Sequence, residues 1–379
     1  MPIKKLEEVV VFKDNLRKPI TSNERIEGPY PYYGANGIQG YVNDFIFDEE
    51  LVLLAEDGGH FYEPDRGIAY KVNGKSWVNN HAHVLSPKSN IDINYLWRVL
   101  ENLDIKEYVN GTTRAKLTKS NALQIKIPLP PLAEQKRIAD ILDKANEIKS
   151  KRELALSKLD ELAQSTFIEM FGDFDTNTNQ HQIKNFNDLI IETKLGLVRG
   201  ASELDPSNEY PYLRMNAITN NGDLQLNKLM YAKASTSEVR EFSLKKYDFL
   251  FNTRNSKELV GKTAIFLLDG SNYLFNNNIM RIRFKNIANP QYISYAFKTK
   301  YIQNQLENIK SGTTNVFAIY YKDLKNIQIP LPELVDQNAF ASKIEALDLL
   351  KEKFIKNIDV IKNLNYSLQN QAFTTGFNA

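Results

Sequence analysis

The 379-residue chain has no cysteine, so neither a disulfide scaffold nor a thiolate zinc site is open to it. It has no excess of either charge: 48 Lys and Arg face 46 Asp and Glu, a formal balance of +2. Any nucleic-acid surface must therefore be a local patch. Its start, MPIKKLEEVVVF, lacks the apolar core of a signal peptide, and no apolar run is long enough to span a membrane. A soluble protein of the reducing cytoplasm is the expectation.

Catalytic patterns are missing too. The Asn/Asp-Pro-Pro-Tyr/Phe loop that holds a flipped base in amino-methyltransferases has no counterpart beyond Asn289-Pro290-Gln291. Gly34–Gly40 is too irregular to cradle a nucleotide, leads into a strand instead of a helix, and is followed by no phosphate-binding lysine. Pro64-Asp65 has only Ala69-Tyr70-Lys71 behind it, so the second carboxylate of a metal-dependent nuclease is absent. His81 and His83 alternate as on one strand face, with His60 as the only obvious helper. Four histidines without a cysteine argue for polar strand residues near a ligand surface over a metal site.

What the chain does contain is organised around residues 127–172, an Ile-Pro-Leu-Pro-Pro-Leu exit that runs into a long apolar-seamed segment. Pro128, Pro130 and Pro131 forbid a helix up to that point, and no Pro or Gly follows from Leu132 until Gly172. A helix of about 39 residues would be ~58 Å long. Ile138, Ile141, Ala145, Ile148, Ala155, Leu159 and Leu162 recur near a coiled-coil period, interrupted by Arg152. The stretch is written twice. Ile329-Pro330-Leu331-Pro332-Glu333-Leu334 echoes the exit about 202 positions on, with Gln337 answering Gln135. Phe340, Ile344, Leu347, Phe354, Ile358, Ile361 and Leu368 form a second seam, interrupted by Lys351 and Asn365. Polar seam positions of this kind fix register or partner. Matching Phe373 to Phe167 implies about one extra turn in the second copy.

The regions before each helix are also copies. Short β-branched and aromatic runs alternate with turn signals at Val9–Phe12, Gly40–Phe47, Leu51–Ala55, Ile68–Val72 and Trp77–Val78, and a helix is expected over Ile91–Asn102 with Asn90 or Asp92 near its cap. Tyr210-Pro211-Tyr212 answers Tyr30-Pro31-Tyr32, Tyr247–Phe251 answers Glu49–Leu53, Asn277-Asn278 answers Asn79-Asn80, and Gly312-Thr313-Thr314 answers Gly111-Thr112-Thr113. The expected architecture is α+β: strand-rich domains at 1–130 and 173–330, and helices at 131–172 and 331–379. The helices would pair antiparallel as a spacer, and the whole would be a pseudo-two-fold repeat.

These residues resemble the specificity subunit of type I restriction–modification enzymes. IPLPPLAEQKRIADILDK carries the motif most fully, while the second copy departs from it at Glu333 and Val335-Asp336. YPYYGANGIQGYV, NGKSWVNNHAHVL and YPYLRMNAI are similar to stretches of target-recognition domains, so the resemblance covers nearly the whole chain. It implies a non-catalytic DNA-recognition subunit that reads a bipartite, asymmetric duplex target. Its partners would be two modification (methyltransferase) subunits and, in a restricting complex, two motor–nuclease subunits. It implies no cofactor in this chain, with S-adenosylmethionine, ATP and magnesium belonging to the partners. A stand-alone DNA-modifying enzyme and a coiled-coil adaptor without nucleic acid are the alternatives.

Phosphate contacts position such a protein, while Arg to guanine and Asn or Gln to adenine specify bases. On that chemistry the candidates are Tyr33, Asn79, Asn80, His81, Thr112, Arg114 and Lys116 in the first domain, and Arg214, Arg254, Lys257, Asn277, Asn278, Arg281 and Thr313 in the second. Residues 251–300 hold eight Lys and Arg against Glu258 and Asp269, and residues 105–126 hold five against Glu107. Ile279–Phe284 should alternate as a strand, with Ile282 and Phe284 inward and Arg281 and Arg283 sharing a DNA-facing side.

Overall fold

Each strand-rich region hands the chain to its long helix in the same way. In the computed structural model, Ile3–Lys5 pairs antiparallel with Lys126–Pro128, and Gln182–Asn185 with Gln328–Leu331. The helices then run over Leu132–Phe171 and Leu334–Thr374, 40 and 41 residues. The structure describes residues 2–374 except 64–65, 112–114, 177–178, 227–228, 270–271 and 313. No described helix is long and apolar enough to cross a membrane.

The chain divides into two compact units. The first is Met1–Leu154 with Phe354–Ala379, and the second is Ala155–Lys353. Each unit therefore holds one strand-rich domain and part of both long helices. In the first unit the central sheet has the order Val10–Phe12, Ala82–Pro87, Leu51–Ala55, Ala69–Val72, all antiparallel. In the second the order is Ile190–Leu195, Ile279–Phe284, Phe249–Asn252, Thr263–Ile265. Leu51–Ala55 is buried along its whole length, as is Phe249–Asn252, because both sheet faces are covered. One face of the second sheet packs Phe249, Phe251 and Ile282 against the helices. The other packs Leu250, Ala264 and Ile279 against Leu213, Ile218 and Leu244.

A second sheet accompanies each central one. Tyr30–Gly34 forms a hairpin with Gly37–Val42, turning at Gly37, whose φ of 100° suits a residue without Cβ. It pairs in parallel with Lys75–Val78. Tyr210–Leu213 likewise pairs with Met230–Ala232 and, in parallel, with Leu274–Phe275. The expected helix begins at Ile93, one turn of chain after Asn90, with Asp92 as its cap accepting from Asn94 and Tyr95.

The helix seams keep the heptad more strictly than apolar identity suggested. Along the second helix, Phe340, Ile344, Leu347, Lys351, Phe354, Ile358, Ile361, Asn365 and Leu368 are all buried or half-buried. Along the first, Ile148 and Leu162 are exposed, while Leu142 and Ala163 are buried. The seam steps through the half-buried Lys149 and Arg152, whose alkyl stems fill positions that a list of Ile and Leu misses. All three polar interruptions make contacts across the helix pair. Asn365 Nδ2 donates to Asn146 Oδ1 at 3.0 Å and the Arg152 guanidinium lies 5.1 Å from the Phe354 ring, both in the first unit. Lys351 bonds Asp160 at 2.6 Å in the second. Leu368 packs on the first core as Phe167 packs on the second, and the Phe373 side chain, on which the expected extra turn rests, lies outside the described residues.

Candidate nucleic-acid interface

Backbone bonds set the residue-by-residue correspondence of the two domains. Tyr33 O accepts from Asn79 N at 3.0 Å, and Leu213 O accepts from Asn276 N at 2.9 Å. Ala55 pairs with Ala82, and Asn252 with Ile279. Leu117 N donates to Glu56 O at 2.7 Å, and Ile319 N to Thr253 O at 2.9 Å. Asn79 therefore corresponds to Asn276, Asn80 to Asn277 and His81 to Asn278, and the sequence match of Asn277-Asn278 to Asn79-Asn80 is one residue out. By the same register Leu54, not Leu53, answers Phe251.

The correction separates roles. Asn79 and Asn276 are buried, 3% and 9% exposed. Asn79 Oδ1 accepts from His81 N at 2.8 Å while its Nδ2 donates to Gln39 at 3.2 Å, so this carboxamide holds the turn together. A direct DNA role for Asn79 is set aside on that geometry. Asn80 and Asn277 stand exposed at the tip, with His81 and Asn278 half-buried beside them.

Arg281 does not face solvent. Its strand alternates as expected, but the face carrying Arg281 is covered, and the residue is 3% exposed. Its guanidinium bonds Glu192, lies 4.0 Å from Asp248, and donates to the carbonyls of Glu241 (3.2 Å) and Ser243 (3.1 Å). Arg283 bonds Asp248 at 2.6 Å and Glu192 at 3.0 Å. Burial works to raise the Glu192 carboxyl, but the two arginines overcome it and hold the group below its ordinary value. The partners are Glu192 and Asp248, and a guanidinium so held is unavailable to a base.

In the first unit carboxylates face the polar groups of the tip. His81 Nδ1 lies 3.5 Å from Asp57, Lys116 Nζ 3.3 Å from Glu56, and Arg17 bonds Glu56 at 2.6 Å. His83 sits fully buried between Asp14, 2.7 Å away, and the Leu117 carbonyl, 2.9 Å away. Asp14, Glu56 and His83 have their ligand atoms close enough for a cation, but the Arg17 guanidinium already lies against both carboxylates. Burial raises the Asp14 carboxyl, yet the His83 bond, the Val84 amide and Arg17 bring it below its usual value. Tyr33 stacks on Tyr70, ring centroids 5.8 Å apart, and is half-buried. Thr112 and Arg114 lie outside the described residues.

In the second unit the tip is open. The Arg254 and Asn277 side chains are exposed and make no hydrogen bond or ion pair among the described residues, while Asn278 Nδ2 lies 3.8 Å from Met215 Sδ. All three line one cavity of about 390 Å³, together with Val198, Met280 and Tyr320. Arg214 is exposed and lines a separate, smaller hollow with Asn216 and Gln225. Lys257 is exposed but elsewhere, 3.4 Å from Glu307, and Thr313 lies outside the described residues.

Gln135 and Gln337 answer one another in the two copies, and their spacing alone does not tell what they hold. Both are fully buried. Gln135 accepts from Asp92 N at 2.7 Å and donates to the Pro130 and Asn90 carbonyls at 2.8 and 3.1 Å. Gln337 accepts from Asn289 N at 2.8 Å and donates to the Pro332 and Ile287 carbonyls at 2.8 and 3.1 Å. Tyr95 and Tyr292 then bond the Pro128 and Pro330 carbonyls. The two helix starts are thus locked alike despite Glu333 and Val335-Asp336.

Comparison with known proteins agrees with this geometry. The model of the type I restriction modification DNA specificity domain matches residues 1–158 and 174–362. A putative type I restriction enzyme specificity subunit of Haemophilus influenzae is 29% identical over 368 residues, 94% of this chain and 89% of its own. The EcoKI specificity subunit of Escherichia coli is 27% identical over 267 residues, 66% of this chain and 57% of its own. The crystal structure of a type I restriction-modification S subunit from M. genitalium superposes with a TM-score of 0.59 at 13% identity, covering 98% of this chain and 96% of that one.

Proposed function

Because this chain belongs to the type I restriction–modification DNA specificity family, we propose that its two strand-rich domains each read one half of a split, asymmetric DNA target. It is a non-catalytic specificity subunit, and it confers sequence recognition on a restriction–modification complex. The stand-alone enzyme and the adaptor without nucleic acid give way to that membership.

One observation carries the bipartite reading. The two domains share their hydrogen-bonded frame, down to the glutamine locks, and differ in the side chains at the tip that the frame holds out. Duplicated scaffolding with unlike tips suits two unlike half-sites. In this proposal the gap between them is set by the helices that belong in part to each unit, with Asn146–Asn365 and Asp160–Lys351 fixing their register. Two modification subunits, and in a restricting complex two motor–nuclease subunits, assemble on the chain. S-adenosylmethionine, ATP and magnesium belong to those partners.

Replacing residues 173–330 with the second domain of another family member, and sequencing the methylated genome of a strain carrying the complex, tests this. One half-site should change while the other half persists. A change in both halves, or in neither, would sink the modular reading.

A further inference from the structure

The cavity at the tip of the second unit brings two candidate side chains, Arg254 and Asn277, to one lining. No Asp or Glu lines it. The Arg254 guanidinium and the Asn277 carboxamide are exposed and free of partners among the described residues. Behind them the walls are apolar or aromatic, and Val198 (66% exposed) and Tyr320 (47%) stand at the mouth.

The turn that presents these groups is fixed by main-chain bonds, not by the groups themselves. The Asn278 carbonyl accepts from Thr253 N at 2.8 Å and Thr253 Oγ1 at 3.1 Å. Gly196 lies so close that a Cβ there would meet the Phe275 and Asn276 carbonyls at 2.2 and 2.3 Å. The same backbone positions in the first unit carry Asp57 for Arg254, His81 for Asn278 and Lys116 for Ala318, and there Asp57 faces His81 at 3.5 Å while Lys116 faces Glu56 at 3.3 Å.

A free guanidinium fork matches the O6 and N7 acceptors of guanine, a carboxamide matches N6 and N7 of adenine, and an apolar wall suits the thymine methyl. With family membership supplying duplex DNA as the occupant, we infer that this cleft reads the second half-site in the major groove. Arg254 specifies a guanine, Asn277 specifies an adenine near it, and the methyl of the paired thymine rests on Val198 and Tyr320. The first unit, with Asp57 in place of Arg254, reads no guanine at the equivalent position. The inference rests on the proposed division of half-sites between the domains.

The test uses the full chain with its modification subunits, in a strain without other DNA methylation, read by methylome sequencing. Wild type, a strain lacking the chain, R254A, R254K and N277A are compared. Purified complexes are then titrated with duplexes substituted at each target position. R254A should make one guanine of one half-site degenerate, with about tenfold to a hundredfold loss of discrimination there, and R254K should do the same because a point charge cannot replace the fork. N277A should relax one adenine of the same half-site. The other half-site and the gap should stay as they are. An unchanged motif at full methylation, relaxation in the half-site read by residues 1–130, or an affinity loss uniform over all duplexes would each overturn the inference. If the strain lacking the chain keeps the same methylated motif, the proposed function itself fails, and that result is distinguishable from all the others.

Discussion

Set side by side in register, the central sheets of the two units differ most where they should be most alike. Glu192, Asp248, Arg281 and Arg283 in the second unit occupy the positions of Val11, Leu51, Val84 and Ser86 in the first. Leu51 and Val84 are fully buried, and Asp248 and Arg281 nearly so. One backbone thus tolerates an aliphatic solution and an ionic one at the same place. The frame constrains shape and main-chain bonding, while charge inside it is free to vary so long as it is balanced.

The largest expected effect breaks that balance. Arg281→Ala leaves Arg283 to face both Asp248 and Glu192, one negative charge uncompensated, and should destabilise the second unit by about 3–5 kcal/mol, whereas the set E192V, D248L, R281V and R283S, which copies the first unit, should be near neutral or stabilising. Hydrogen exchange, which reports the units separately, checks both. If the single variant costs no more than the full set, the cluster is not a balanced unit.

Next comes the frame. Gln135→Leu and Gln337→Leu each orphan one buried amide and two carbonyls, and each should cost about 2–4 kcal/mol. The two losses should be equal within error. A difference above about 1 kcal/mol, measured by denaturant titration followed at each unit, would mean that the substitutions Glu333 and Val335-Asp336 alter the second lock after all.

A smaller effect concerns the helix pair. The double change N146L and N365L removes a buried polar contact in the first unit and should alter stability by no more than about 1 kcal/mol. It should nevertheless permit slippage, seen as two exchange populations for the amides of residues 354–370. A single population would assign register to other contacts.

The smallest is a pH effect. The two arginines hold the Glu192 carboxyl below the ordinary glutamate value of 4.5 in the folded chain. Its stabilising contribution is therefore complete above about 4.5 and fades as pH falls through the lower folded value. Protection of the Phe249 and Ile282 amides should weaken in that window in the parent chain and stay flatter in E192Q.

Some of this was legible in the residues. The absence of Pro and Gly from Leu132 to Phe171 states a helix, the proline exits state its start, and Asn90 or Asp92 states a cap, of which the backbone uses Asp92. The tip register was not legible. The second copy reads Asn276-Asn277-Asn278 where the first reads Asn79-Asn80-His81, so a pair of asparagines can be matched in two ways. Only the bond from Asn276 N to Leu213 O decides between them. The fate of Arg281 was hidden for a different reason. Alternation tells which residues share a face, and it does not tell whether the segment around Leu213, Ile218 and Leu244 covers that face. The helix seam misled because long basic stems can occupy core-facing positions without reading as apolar.

The Thr253 clamp on the Asn278 carbonyl has an evolutionary consequence. Nothing that holds the turn in place is spent on the groups it displays, so Arg254 and Asn277 can be exchanged for other residues with little penalty to folding. Mutational routes from one DNA target to another then cross no valley of misfolded intermediates. A lineage can drift among recognition sequences by single substitutions, with selection acting on the host genome it marks and not on the integrity of the reader.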